Sequence, residues 1–317
     1  MKEEKKIEEF LKLENRLTLK LRIKPLSPLC IKLSCDDSDS LNALLTTEGG
    51  KKIESNNKEK NNKKATELYK RNGEIYIPGS TLKGLFRDRF TLMYGKFKEN
   101  ETDYIRSLFG HTEDKNSENK LAKKSKIFVQ DSFLEEKSKK FFKKNGEAKS
   151  FRELFYEDKK NNIFDKTLEE KLIKTRSITP VDHFSSKAKV PLQYEYTMET
   201  FSTELIINNA KLQDLQGIYF VIRDSWNQEI RIGNSKTRGF GLIKFEIEDL
   251  IYEQFKNKDD DFKALEEFFE EKDNEDEKLI KFHFSKKFYL KKEFKKLYKE
   301  DETPNNFIIS LFKGGEN

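Results

Sequence analysis

The chain has 317 residues, of which 38% are charged and 35% hydrophobic, and it carries a net charge of +6. No apolar run approaches the roughly 18 residues of a membrane span, and residues 1–10 are charged, without the apolar stretch of a signal peptide, so a cytoplasmic protein is expected. Cys30 and Cys35 lack a second ligand pair, and His111, His183 and His283 are scattered, which speaks against a zinc site or a disulfide framework.

Residues 16–24 alternate apolar and polar and predict a half-buried strand with one basic face. Pro25 and Pro28 end it, and residues 29–33 resume an extended run. Residues 36–64 are polar and read as a long loop, opening with Asp36-Asp37-Ser38-Asp39, which is either a solvated acidic run or a set of metal ligands. A strand at 67–69 turns at Asn72-Gly73 into a second strand at 74–77.

Pro78-Gly79 then turns the chain into an amphipathic helix, with Ser80 as its expected N-cap. Leu82, Leu85, Phe86, Phe90 and Met93 recur at helical spacing, while Lys83 and Arg87 lie four apart on another face. Free N–H groups at the helix start, with Gly79 and Gly84 letting another backbone approach, suit a phosphate; the plainer alternative is a capped helix with solvated charges. A shorter helix is expected near 102–109, and strands at 127–129 and 199–208. Residues 137–174 are highly charged and helical in places, and 212–224 suit a helix or a helix–strand pair.

Residues 231–241, from Arg231 through Gly233, Ser235, Lys236, Arg238 and Gly239 to Phe240 and Gly241, put three glycines and three cations in one loop before a strand at 242–247. Glycines there permit positive φ and close approach to a polyanion. Lys236 and Arg238 can neutralise phosphates, and Phe240 can stack or pack. The spacing excludes a P-loop, since no Gly-Lys-Ser/Thr ends the run. Beyond residue 250 an acidic amphipathic helix (259–278), a strand (280–284) and a short basic helix (291–299) are expected, either packed on the core or docked on a neighbour.

Strands alternating with helices that cross a sheet indicate an α+β protein with a ferredoxin-like, split βαβ arrangement. Four further signals join the helix and the glycine-rich loop: Pro25-Leu26-Ser27-Pro28-Leu29, Leu108-Phe109-Gly110, Ser125 followed by a strand and Asp131, and Ile178-Thr179-Pro180-Val181-Asp182-His183-Phe184. In this order, over residues 17–250, they resemble the RAMP superfamily of CRISPR-associated RNA-binding proteins, especially the Cas-seven-type subunits of type III effectors.

The resemblance implies an RRM-like core in residues 1–250, with insertions at about 36–66 and 137–177, and a C-terminal extension at 251–317. It implies a guide-RNA-binding subunit in a helical backbone, holding the guide–target RNA duplex beside other RAMP subunits and a large type III effector subunit. Expected RNA contacts are Ser80, Lys83 and Arg87 on the helix, His183, Phe184 and Lys187 on a thumb-like central hairpin, and Arg231, Ser235, Lys236 and Arg238 on the loop.

Some such subunits also cleave target RNA with an aspartate after the first strand and a divalent metal, Mg or Mn. Counting back from Ile77-Pro78-Gly79 reaches Lys64 to Glu67, where no aspartate stands; counting forward from the first strand reaches Asp36 and Asp37, the catalytic candidates. A stand-alone guide-processing ribonuclease of the RAMP type is a further alternative, although those enzymes do not usually show the Ile-Pro-Gly-Ser-x-Leu-Lys-Gly element. A protein of interaction surfaces without nucleic acid is the third; lack of RNA affinity at low salt would mark it.

Overall fold

The alternation of the first strand is carried through eleven residues in β1 (Asn15–Pro25). Leu17, Leu19, Leu21 and Ile23 are fully buried, and Arg16, Thr18, Lys20 and Arg22 project from the other face. The structure is a computed structural model, and it describes residues 13–32, 68, 70–71, 74–94, 99–111, 123–135, 143–144, 147–148, 172–179, 191–255, 260–271 and 285–313.

β2 (Lys70–Arg71) and β3 (Glu74–Ile77) form a hairpin; of the first arm expected at 67–69 only Leu68 is among the described residues, and it makes an isolated bridge to Lys32. Then come α1 (Gly79–Tyr94), α2 (Glu99–Phe109), β4 (Ile127–Val129) and β5 (Ser132–Leu134). Two small hairpins follow, β6 (Lys143–Lys144) with β7 (Glu147–Ala148) and β8 (Lys174–Ile178) with β9 (Leu192–Tyr196). β10 (Phe201–Asn208), α3 (Leu212–Trp226) and β11 (Ile243–Gln254) complete the core, and residues 212–226 are one helix rather than a helix–strand pair.

Among the described residues the main sheet runs β12–β13–β11–β1–β10–β5–β3–β2, with β4 also paired to β10; β12 (Phe269–Glu271) and β13 (Lys286–Leu290) belong to the tail. Every pairing is antiparallel. The expected α+β class is therefore found: a mainly antiparallel sheet with few helices, in which β11 lies beside β1. Both long helices cover the buried face of the sheet. Phe86 meets Phe245 with ring centroids 5.7 Å apart, and a Cβ on Gly217 of α3 would fall 2.4 Å from the Phe90 ring of α1, so only glycine lets the two helices come this close.

The tail departs from its sequence pattern. In place of an acidic α-helix, residues Asp260–Phe268 form a 3-10 helix that ends directly in β12. Phe262, Leu265 and Phe268 are all buried at three-residue spacing, the period of a 3-10 turn, and Phe269 opens the strand instead of continuing a helical stripe. The expected basic helix is a single 3-10 turn at Lys292–Phe294, and residues 280–284 lie outside the described residues. The described tail packs on the core: α4 (Asn306–Lys313) sets Phe307 against Tyr219 of α3 (5.4 Å) and against Phe268 (5.3 Å). No helix among the described residues is long and apolar enough to cross a membrane.

Candidate nucleic-acid interface

The start of α1 differs from its expected form. The helix begins at Gly79, and the Pro78 carbonyl accepts the Thr81 N–H (2.9 Å) and the Leu82 N–H (3.4 Å). Ser80 is therefore exposed within the first turn and is not the cap. The capping group is Asp131, whose Oδ1 accepts the Gly79 N–H at 2.8 Å. A Cβ on Gly79 would lie 2.3 Å from the Val129 carbonyl oxygen, so this glycine serves close approach within the fold and not approach by a ligand.

Gly84 is the opposite case. It is exposed, with nothing within 4 Å of where a Cβ would stand. Helical spacing sets it on the outer ridge of α1, with Ser80, Lys83 and Arg87 down one flank and Thr81 and Asp88 down the other. Lys83 is not free: its Nζ donates to Ser125 Oγ at 2.8 Å. Burial, with Arg87 nearby, lowers the Lys83 pKa. Ser125 Oγ in turn lies 2.8 Å from the Ile127 carbonyl and 3.1 Å from that of Leu108. Gly110, at φ 84°, packs its Cα against the Ser125 backbone. The Leu108-Phe109-Gly110, Ser125 and Asp131 signals thus act together as the bed of α1.

The glycine-rich loop is clamped at its root. Leu242 N–H donates to Ser27 Oγ (2.9 Å), Gly241 N–H to the Pro28 carbonyl (2.8 Å) and Asn234 N–H to the Cys30 carbonyl (2.7 Å). Gly233 and Gly241 have φ of 81° and 79°, and a Cβ at either would overlap a backbone oxygen, that of Cys30 at 2.3 Å or Ile232 at 2.0 Å. At the tip, Ser235 is left-handed (φ 57°) and Lys236–Arg238 form a 3-10 turn.

That turn sends its two cations in different directions. Lys236 reaches the flank of α1, where Thr81, Gly84, Asp88, Arg231, Gly233 and Lys236 line a groove of about 610 Å³. Arg89 Nη2 holds its walls together by donating to the Glu229 carbonyl (2.6 Å). Arg231 lies in the groove with one nitrogen 3.3 Å from the Phe240 carbonyl. The side chains of Arg87 and Lys236 have no hydrogen-bond or ion-pair partner among the described residues.

Arg238 turns the other way, donating to the Tyr194 hydroxyl at 3.1 Å. Phe240, fully buried, packs and does not present a face for stacking. Tyr194 and Tyr196 of β9 surround it at 5.9 and 6.3 Å, and the Arg176 guanidinium of β8 sits 5.3 Å above its ring. The loop therefore carries the base of the β8–β9 hairpin. These hairpin partners were invisible in the sequence, where nothing marks Arg176 or Tyr194 as neighbours of the loop.

On the outward face of the sheet, β1 carries paired charges, Arg22 with Glu135 (2.6 Å) and Glu246 (3.6 Å), Lys20 with Glu204 (3.6 Å) and Arg16 with Glu253 (3.9 Å), while β3, β4 and β5 present Tyr76, Phe128 and Phe133. Arg87, Ser80, Arg231, Ser235, Lys236 and Arg238 are thus placed around α1 and the loop, whereas Asp36, Asp37, His183, Phe184 and Lys187 lie outside the described residues.

A model of the RAMP superfamily matches residues 22–246 of the chain. Similar solved structures include a chain of the "Cryo-EM structure of the Type III-B Cmr-beta bound to cognate target RNA", at 12% identity and TM-score 0.40, with 73% of this chain and 96% of that chain covered. A chain of the "Type III-B Cmr-beta Cryo-EM structure of the Apo state" aligns at 13% identity and TM-score 0.40 over 73% of this chain and 97% of that one. No curated protein sequence matches.

Proposed function

Since the chain belongs to the RAMP superfamily, we propose that it is a guide-RNA-binding subunit of a type III CRISPR effector complex. The observation that carries this reading is the groove between α1 and the glycine-rich loop, where an open glycine ridge faces a lysine without a side-chain partner among the described residues. A ribose–phosphate backbone lying across Gly84 meets Lys236 and Arg231 on one side and Arg87 on the other. Asp88, one turn further along α1, repels phosphate and favours its seating at the Thr81 end. Lys20 and Arg22 on the outward sheet face are paired with carboxylates, so the phosphates of the guide are met in the groove and not by these two cations. In the assembly, further RAMP subunits and the large effector subunit are its neighbours, and target RNA pairs with the guide it holds.

The test is the salt dependence of binding to a labelled single-stranded RNA. Each phosphate contact on a single strand contributes about 0.7 to the slope of log K against log salt. Lys236→Ala and Arg87→Ala are each expected to lower the slope by about that amount, and unchanged slopes in both would refute the groove as the binding site.

A further inference from the structure

Charge on the outward face of the sheet is matched row by row, except at one end. Arg16, Lys20 and Arg22 each face a carboxylate. Two residues beyond Arg22, the register sets Lys24 directly opposite Lys244. Like charges opposed across neighbouring strands destabilise a sheet. Lys24 is exposed and has no ion-pair partner among the described residues. Lys244 is fixed from the side, with its Nζ 3.3 Å from the centre of the Trp226 ring. Trp226 is itself held, its indole N–H donating to the Phe245 carbonyl at 2.8 Å and its ring meeting Tyr298 at 5.8 Å. Burial, together with Lys24 opposite, lowers the Lys244 pKa against the pull of Glu246.

The position of the pair matters. Lys24 directly precedes Pro25 and Leu26, and the Leu26 N–H donates to the Leu242 carbonyl at 2.8 Å, where the glycine-rich loop returns to the sheet. The groove opens on the helix side of this end of the sheet, and the two lysines stand on the outward side of the same end. We propose that Lys24 and Lys244 form a second phosphate-binding subsite, which takes the RNA backbone as it leaves the groove and turns around the end of the sheet. It rests on the RNA-binding reading above. On opposed residues, with Cβ atoms about 5 Å apart, the Lys24 ammonium and the Lys244 ammonium over Trp226 both act on a phosphate placed at Lys24, and the anion's charge relieves their repulsion and offsets the partial desolvation of Lys244.

Trp226 is the single tryptophan of the chain, so its emission reports on Lys244 directly. The experiment uses the full chain and a fluorescein-labelled single-stranded RNA, with Lys24→Ala, Lys236→Ala and the double variant. Lys24→Ala is expected to lower the salt slope by about 0.7 and the double variant by about 1.4, as for independent phosphates. RNA is expected to shift Trp226 emission in the wild type and to shift it less in Lys24→Ala, whose melting temperature equals or exceeds that of the wild type. A slope lowered by Lys236→Ala but not by Lys24→Ala overturns the subsite and leaves the groove standing. A melting temperature of Lys24→Ala below the wild type overturns the repulsion on which the subsite depends. Salt-independent or absent binding in the wild type overturns both readings.

Discussion

The Gly79 N–H donates to Asp131 Oδ1 at 2.8 Å, joining the helix that faces the groove to the strand turn between β4 and β5. Helix caps of this kind contribute about 1 kcal/mol. Asp131→Ala is expected to lower stability by about that amount in urea denaturation. Asp131→Asn, which keeps an oxygen acceptor, should lose less.

Gly79 and Gly84 are five residues apart on one helix and should respond oppositely to alanine. Gly84→Ala places a methyl in open space and is expected to raise stability by roughly 0.5–1 kcal/mol. The same methyl stands on the ridge of the proposed RNA path, so affinity for RNA should fall while the melting temperature rises. Gly79→Ala forces a Cβ against the Val129 carbonyl and is expected to destabilise by roughly 1–3 kcal/mol. Thermal melts and RNA titrations on the two variants separate these outcomes.

Phe240 is the joint between loop and hairpin. Phe240→Ala removes a fully buried ring and is expected to cost about 3–5 kcal/mol. Amide exchange at Tyr194 and Tyr196 should accelerate well beyond exchange in β1, because their packing partner is gone. Equal acceleration throughout the sheet would show that Phe240 supports the whole core and not this joint.

Asp214, at the start of α3, accepts the Tyr104 hydroxyl (2.7 Å) and the Lys211 N–H (2.9 Å). Burial nevertheless raises its pKa, outweighing the opposing pull of these hydrogen bonds. A carboxyl raised in the folded state stabilises most below its unfolded pKa of about 3.9, and that contribution is lost as pH rises through the folded value. The stability of the wild type relative to Asp214→Asn should therefore decline as pH rises above about 4. A relative stability that climbs with pH instead would show the hydrogen bonds outweighing burial.

The parts of the fold that follow from local periodicity were legible in the sequence. The alternation of β1 and the apolar spacing of α1 gave both elements and their buried faces. The glycine and cation content of residues 231–241 marked a loop suited to a polyanion, and that loop does share a groove with α1. What escaped were partnerships between distant segments. Lys83 looks as available as Arg87 until Ser125, 42 positions away, takes its ammonium group. Ser80 has the right chemistry for a cap, but Gly79 is small enough to start the helix two residues earlier than such a cap would, against Val129. Phe240 is aromatic in a basic loop, and only the arrival of β8 and β9 decides that it packs.

The segment from β1 to Cys30 finds nearly all its partners at the far end of the chain: Phe201 to Asn208 in β10, Ile243 to Gln254 in β11, Thr197 beside Leu29, and the root of the glycine-rich loop. Contacts this remote in sequence form slowly, because the intervening chain must close first. During synthesis the central strand of the sheet emerges first and waits, with its Leu-rich side uncovered, until β10 and β11 have left the ribosome. The groove, whose second wall among the described residues is made by residues 229–236, accordingly takes shape late. A chain halted before residue 229 lacks the second wall of the groove, and its β1, still without β11 on one side, is the segment that most needs a chaperone's shelter.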